Sequence, residues 1–529
     1  MTRSSFEDVL HTNYVPTPSE RHNITSLVQM MEVELSSLDQ MILPLLGKRD
    51  TLNDQILAYK ALLTPARRLL PELVGEVFTH SIPSGRDTSY SHDSSTCTFP
   101  RPRASETPLK LGRVCRRWRQ IALSTPSLWS AIRIPKDWSV EGLQEWISRA
   151  ASCNLSFDIA VNRRNVNALN LLASHQQRWK EIVLRYDDSD SLFMTEFTGS
   201  LSPNYSNLQT LDLGHRNTWD PPGRAGIRLV IESAPNLTHL ILRTPIFHII
   251  VPDQPPSLCL RNINIHSNSI TTAELLSLLR MCPVVESVCA QLSFNFSLNM
   301  SGLHPDILNL GALKHLEISG LYATYQNTCL LDTLCCPALE VLSLTISSDP
   351  WSGELPVPNY TPNMKSFLRR SRPPLKILRL TGTAITIPSR ELTDSIQLLP
   401  YLSCLDLSQV DRGYNEIVEL LTGPTPPSDE NISGCNCPQL NEIRLCKGNV
   451  YPSEPPSLPS DLVIKMILSR STDGRNALTR VTIPSCSSRE VLAHPRILDC
   501  IANGLVFIGH DMPENEWGED SGWGGDAHG

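Results

Sequence analysis

The chain lacks the short motifs that announce common enzyme chemistry. Neither G-x-x-x-x-G-K-[ST] nor G-x-G-x-x-G occurs, so no glycine loop is placed to cradle a phosphate at a helix N-terminus. H-E-x-x-H and G-x-S-x-G are missing as well, which removes the zinc-protease helix and the strained serine elbow. There are 15 cysteines, but no C-x-x-C pair or histidine cluster has zinc spacing; Cys335-Cys336 and Cys435-x-Cys437 are merely close. The cysteines are expected to act as small buried hydrophobes in a reducing compartment. No metal, no cofactor and no chemistry by the chain itself are expected. No run of 18 apolar residues occurs, which argues against a membrane span. Met1-Thr-Arg-Ser-Ser-Phe-Glu-Asp8 has no apolar h-region, so no secretory signal is expected and the sequons at Asn236 and Asn295 should carry no sugar. A cytoplasmic and/or nuclear location follows. A net charge of −8 disfavours a nucleic-acid partner.

What is present is pattern. At 529 residues the chain has room for more than one unit. After a flexible N-terminus, 1–23, residues 24–60 read as a helical, coiled-coil-like arm. Val28, Met31, Leu35, Leu38, Ile42, Leu45, Arg49, Leu52, Ile56, Tyr59 and Leu63 alternate steps of 3 and 4, an a/d seam. Pro44 and Gly47 should kink or split that helix, and Arg49 weakens the seam. Two readings stand: an arm for self-association, or a pair of helices folding back on the chain.

Residues 61–135 carry three short helical patterns. Pro71 is tolerated in a first turn, Leu73, Val77 and Phe78 follow at helical spacing, and Pro83 stops the helix. Leu111, Val114, Cys115, Trp118, Ile121 and Ala122 make a one-sided stripe with arginines on the other faces. Thr125 or Ser124 caps a third turn bearing Leu128 and Trp129. The insertion 84–108, rich in Ser, Thr and Pro, is expected to be disordered.

These residues resemble an F-box of the fungal type. The matches are Pro65, Arg67, Leu69, Glu72 and Leu73, then Val114, Cys115, Arg116, Trp118, Arg119, Ile121 and Ala122, then Pro126, Leu128 and Trp129. Leu70 departs from the family, where many members have a proline, and so does the long insertion. The resemblance implies that Leu69, Pro71, Glu72, Leu73, Val77, Val114, Cys115, Trp118 and Trp129 form or support a surface for the adaptor of an SCF-type, cullin-RING ubiquitin ligase. Through that adaptor a cullin would be bound.

From residue 150 to 510 the pattern L-x-x-L-x-L recurs, as in Leu237-Thr-His-Leu-Ile-Leu242 and Leu375-Lys-Ile-Leu-Arg-Leu380. Its middle residues are 182, 211, 240, 263, 288, 316, 342, 378, 405, 443 and 481, spaced by 29, 29, 23, 25, 28, 26, 36, 27, 38 and 38. Such periods match leucine-rich repeats early and overshoot later, where insertions form loops. Pro235, Pro283, Pro337, Pro373, Pro400 and Pro438 each lie two residues before a first repeat position, ending a helix and starting a strand. The expected class is α/β: helical arm, three-helix module, then an irregular solenoid with a curved parallel sheet and no asparagine ladder. Strand alternation places Arg243, His266, His315, Glu317, Arg379, Asp406 and Arg444 on a concave face. The array resembles the repeats of F-box receptors, which implies that this face binds an unknown protein substrate. The tail 511–529 is acidic and glycine-rich and is expected to be disordered. The expected role is a ligase substrate receptor; the alternative is a leucine-rich scaffold that recruits no ligase.

Overall fold

A computed structural model describes residues 6–82, 99–136, 138–186, 191–215, 227–230, 234–243, 247–250, 258–292, 307–322, 329–347, 364–382, 389–407, 414–422, 436–445, 458–470 and 478–510. The tail 511–529, Pro83 and residues 84–98 of the insertion lie outside this set. The chain divides into two units, Met1–Phe78 and Thr79–Gly529.

The first unit is dominated by one helix, Pro18–Leu62, with no buried residue. It begins before residue 24 because the sequence supplies a start signal there. The Glu20 carboxylate accepts from the Thr17 backbone N–H at 2.8 Å and from its hydroxyl at 2.7 Å, and Pro18 fills the first turn. The expected split at Pro44 does not occur: the helix is continuous through Pro44 and Gly47. One missing N–H is a local loss, whereas propagation adds a bond per residue on either side. A single turn, Pro65–Arg68, follows. Leu69 then turns extended before the helix Pro71–His80, which buries Val74, Gly75 and Phe78.

The second unit holds a fully parallel sheet of fourteen strands in sequence order, from Ala131–Arg133 to Val506–His510. One row explains it. Ile132, Phe157, Ile182, Leu211, Leu240, Ile263, Val288, Leu316, Leu342, Leu378, Leu405, Ile443, Val481 and Phe507 pair in unbroken register. All but the half-buried Phe507 are buried. All eleven middle residues of the sequence pattern lie in this row. Strands Ala131–Arg133, Leu155–Ala160 and Val506–His510 add to it, so the sheet starts inside the segment assigned to the helical module. Two short parallel ladders stand apart, Ile227–Val230 with Phe247–Ile250 and Leu308–Asn309 with Leu334–Cys335.

Pro283, Pro373 and Pro400 lie between a helix and a strand, as expected, and at Pro283 and Pro400 the link itself is a turn. Val285 N–H donates to Cys282 O, Leu339 N–H to Cys336 O and Leu440 N–H to Cys437 O, at 3.2, 3.3 and 3.1 Å. Pro283, Pro337 and Pro438 therefore sit at the second position of a β-turn, where a fixed φ is an asset. The residue before each is a buried cysteine, which bears out the hydrophobic reading for Cys282, Cys336 and Cys437; Cys115 and Cys259 are exposed. One helix that precedes such a turn is Thr272–Arg280, capped by Thr271 and Glu274. Gly320, at φ 71, sits where the register shifts between Ile318 and Leu321; a Cβ there would meet Leu292 O at 2.5 Å.

Neighbouring units are also tied by side chains that periodicity did not reveal. Asn207 Nδ2 donates to Gln177 O and Asn236 Nδ2 to Ser206 O, both at 2.7 Å. A short asparagine ladder thus exists, but it precedes the first repeat leucine instead of following the last. Arg470 is buried and donates to Leu421 O at 2.8 Å, Cys437 O at 3.0 Å and Asn436 O at 2.6 Å. Arg370 likewise donates to Leu334 O and Leu331 O. Arg370 thus serves carbonyls in and just beyond the short helix Cys329–Thr333, and Arg470 the last residue of the helix Tyr414–Leu421, where intrahelical partners run out.

Two further expectations need correction. Residues 99–108, the end of the supposedly disordered insertion, are ordered: Arg133 N–H donates to Pro100 O at 2.9 Å, and Pro100 and Pro108 are buried. Composition missed this because backbone pairing and proline burial need few apolar residues. The stripe Leu111–Ala122 is not one helix. Leu111–Arg113 is a 3-10 turn and Arg116–Leu123 the α-helix. Cys115 adopts an extended backbone as the cap, and its Sγ accepts from Trp118 N–H at 3.5 Å.

Candidate functional site

Two sets of residues are candidates for docking a protein. The first comprises those expected to meet an adaptor. In the first unit Leu69, Pro71, Glu72, Leu73 and Val77 are exposed, Leu73 by 52% and Val77 by 60%. They occupy the extended step and the side of Pro71–His80 that does not carry Val74 and Phe78. In the second unit Val114 is exposed by 59%, Cys115 is exposed and Trp118 is half-buried. Placing Val114 before the helix, not in it, is what turns it outward.

Trp129 is different. It is only 2% exposed, its Nε1 donates to Ala122 O at 2.8 Å, and its ring meets Trp146 edge-on at 4.8 Å. The Arg149 guanidinium lies 4.6 Å from its ring centroid. Trp129 is therefore a packing residue, with its polar edge and its ring both engaged inside the fold. It supports the segment and does not present a surface.

The second set lies on the sheet. One residue along from the core row, side chains alternate to the other face and form a second row. It runs Arg133, Asp158, Val183, Asp212, Ile241, Asn264, Cys289, Glu317, Ser343, Arg379, Asp406, Arg444, Thr482 and Ile508. Glu317, Arg379, Asp406 and Arg444 from the expected set fall in it. His315 lies in the row on one side, Arg243 in the row on the other, and exposed His266 just past Ile265 at a register shift. Alternation alone brings the set to one face.

Exposure divides the set. Asp406 is buried, with Arg444 Nη1 at 3.5 Å, so it orients an arginine instead of offering a free carboxylate. Arg444 also lies 3.6 Å from Glu442, His315 Nε2 lies 3.5 Å from Glu317, and Arg243 lies 3.7 Å from buried Asp212. Asp158, also buried, has Arg133 Nε at 3.2 Å and Arg185 Nη2 at 3.0 Å. Arg379 is exposed and has no ion pair with a described residue. Arg243 Nε and Asn264 Oδ1 are buried atoms without a hydrogen-bond partner among the described residues. Asp212 lies on a strand with the leucine pattern, whereas Arg133 and Asp158, which share this grouping with Arg185, lie on strands without it, so periodicity does not reveal them.

Burial sets the electrostatics. Desolvation pushes the Asp212 carboxyl up to about 6, against the opposing pull of Arg243 and Arg185. The thiols of Cys282, Cys289 and Cys336 are pushed up to about 12 and that of Cys404 to about 11, chiefly by burial. Such thiols stay protonated and are poor nucleophiles and ligands. Among the described residues no helix is long and apolar enough to cross a membrane. The face is thus a mixed-charge surface whose charges are partly paired with one another.

No protein-family model matches this chain, and no curated protein matches it significantly.

Proposed function

We propose that this chain is the substrate receptor of an SCF-type ubiquitin ligase. In this reading residues 61–135 are an F-box that binds the adaptor and through it a cullin. The fourteen-strand array is a curved leucine-rich solenoid whose exposed face binds a protein substrate. One observation carries the proposal: the ordered F-box-like residues include Leu73, Val77 and Val114, apolar side chains left more than half exposed at positions where the family meets its partner. Exposed apolar groups in a short helical segment are costly unless something covers them. The receptor does no bond chemistry; it raises the effective concentration of a substrate lysine at the transfer site of its partners.

The test is recovery of the adaptor by the full-length chain. Leu69→Ala with Pro71→Ala, and separately Leu73→Asp with Val77→Asp, should abolish recovery while the unfolding of the sheet stays unchanged. Reversing Glu317 and Arg379 together should release substrate and keep the adaptor. If the wild-type chain recovers no adaptor, the scaffold reading replaces this one.

A further inference from the structure

The long helix presents a seam that no described residue of its own unit covers. Val28, Met31, Leu35, Leu38, Ile42 and Leu45 are each 44–65% exposed, and Leu52, Ile56, Tyr59 and Leu63 are each 49–70% exposed. Ile24 extends the same spacing one step earlier. From Ile24 to Leu63 the repeat runs for more than five heptads, beyond the three to four that mark a coiled coil. Pro44 and Gly47 fall at the c and f positions, on the side away from the seam. The two weak points of the helix therefore leave the apolar line uninterrupted.

The seam's flanking charges say what covers it. At the e and g positions the acids are Glu32, Glu34 and Asp39, all in the N-terminal half; the bases are Lys48 and Lys60, both in the C-terminal half. Asp50 and Asp54 lie at b and f, off the flanks. Arg49 occupies a core a position, with its side chain 70% exposed and paired to Asp50 of its own helix at 2.8 Å. A parallel pair of these helices would stack Arg49 on Arg49 and set Glu34 beside Asp39, on both sides of the axis. Reversing one helix removes both conflicts. The acidic half of each copy then lies along the basic half of the other, and in full overlap Val28 meets Tyr59, Leu35 meets Leu52, Ile42 meets Leu45, and Arg49 meets Leu38 beside Asp39.

We propose that this helix pairs with the same helix of a second copy, antiparallel and in full overlap. At about 1.5 Å per residue, the two Leu63 positions would stand about 60 Å apart, at opposite ends of the paired helices. The inference does not depend on the ligase reading.

The experiment uses the full-length chain, first by sedimentation and then by disulfide trapping. The wild type should sediment at twice the chain mass, and Leu35→Asp with Leu52→Asp should return it to the single-chain mass with unchanged unfolding of the sheet. A mixture of Val28→Cys and Tyr59→Cys chains should give a disulfide joining the two substituted positions, identified by mass mapping of the linked peptides, while neither variant links to itself. A wild type that stays at single-chain mass at micromolar to tens-of-micromolar concentration would overturn the proposal. So would self-linking of Val28→Cys, the mark of a parallel pair, or a dimer that survives the double aspartate variant. Adaptor recovery is measured on the same samples, so loss of dimerisation and loss of adaptor binding are told apart.

Discussion

Replacing Asp212 with asparagine should stabilise the protein near neutral pH, by an amount set by burial. Asp212 is 2% exposed, and its carboxyl is raised from 3.8 to about 6, first by desolvation and then by the Asp158 charge, with Arg243 and Arg185 opposing. A folded-state value above the unfolded one means that the native protein holds this proton more tightly than the unfolded chain. Stability from this group is therefore complete below pH 3.8 and declines as pH rises towards 6; above 6 the full cost is present. A rise of that size is worth about 3 kcal/mol. Asparagine mimics the protonated acid and does not titrate. Asp212→Asn should thus exceed the wild type by about 1 kcal/mol at pH 4.5 and about 3 kcal/mol at pH 7.5. Urea unfolding of both chains across that range measures the difference directly. If the variant is less stable at pH 7.5, or the gap does not grow with pH, the Arg243 and Arg185 attractions outweigh desolvation and the reasoning fails.

Two further perturbations probe the frame. Leu378 is fully buried inside the core row, so Leu378→Ala should cost about 2–5 kcal/mol, read from the denaturation midpoint. The loss should extend to hydrogen exchange in the paired strands Val341–Ser347 and Cys404–Asp406, because adjacent units share stability. An effect confined to residues 377–382 would contradict that sharing. Arg470→Ala would remove the guanidinium from the carbonyls of Leu421, Asn436 and Cys437, the last of which keeps the Leu440 N–H, at a cost of about 3–5 kcal/mol. Arg470→Lys should rescue little, since one ammonium cannot reproduce the planar fork; native stability in the lysine variant would show that charge alone suffices.

By itself the sequence determined the phase of the repeat and the inward row of leucines. A period of two in a strand leaves one way to bury Leu342, Leu378 and Leu405 together, so spacing was enough. It also determined the apolar seam of the N-terminal helix, because a steady alternation of 3 and 4 has one helical meaning. Tertiary structure decided what local pattern does not encode. The strands Ala131–Arg133, Leu155–Ala160 and Val506–His510 join the sheet by pairing with neighbours, not by a leucine signature of their own. Trp129 and Asp406, polar or amphipathic enough to read as surface, are enclosed by Trp146 and Arg149 in one case and lie beside Arg444 in the other. Arg470 reads as one more surface charge until the chain brings three distant carbonyls to its guanidinium. Periodicity reports which side a residue faces; only the packed chain fixes how much water reaches it, and that sets the charge state of Asp212.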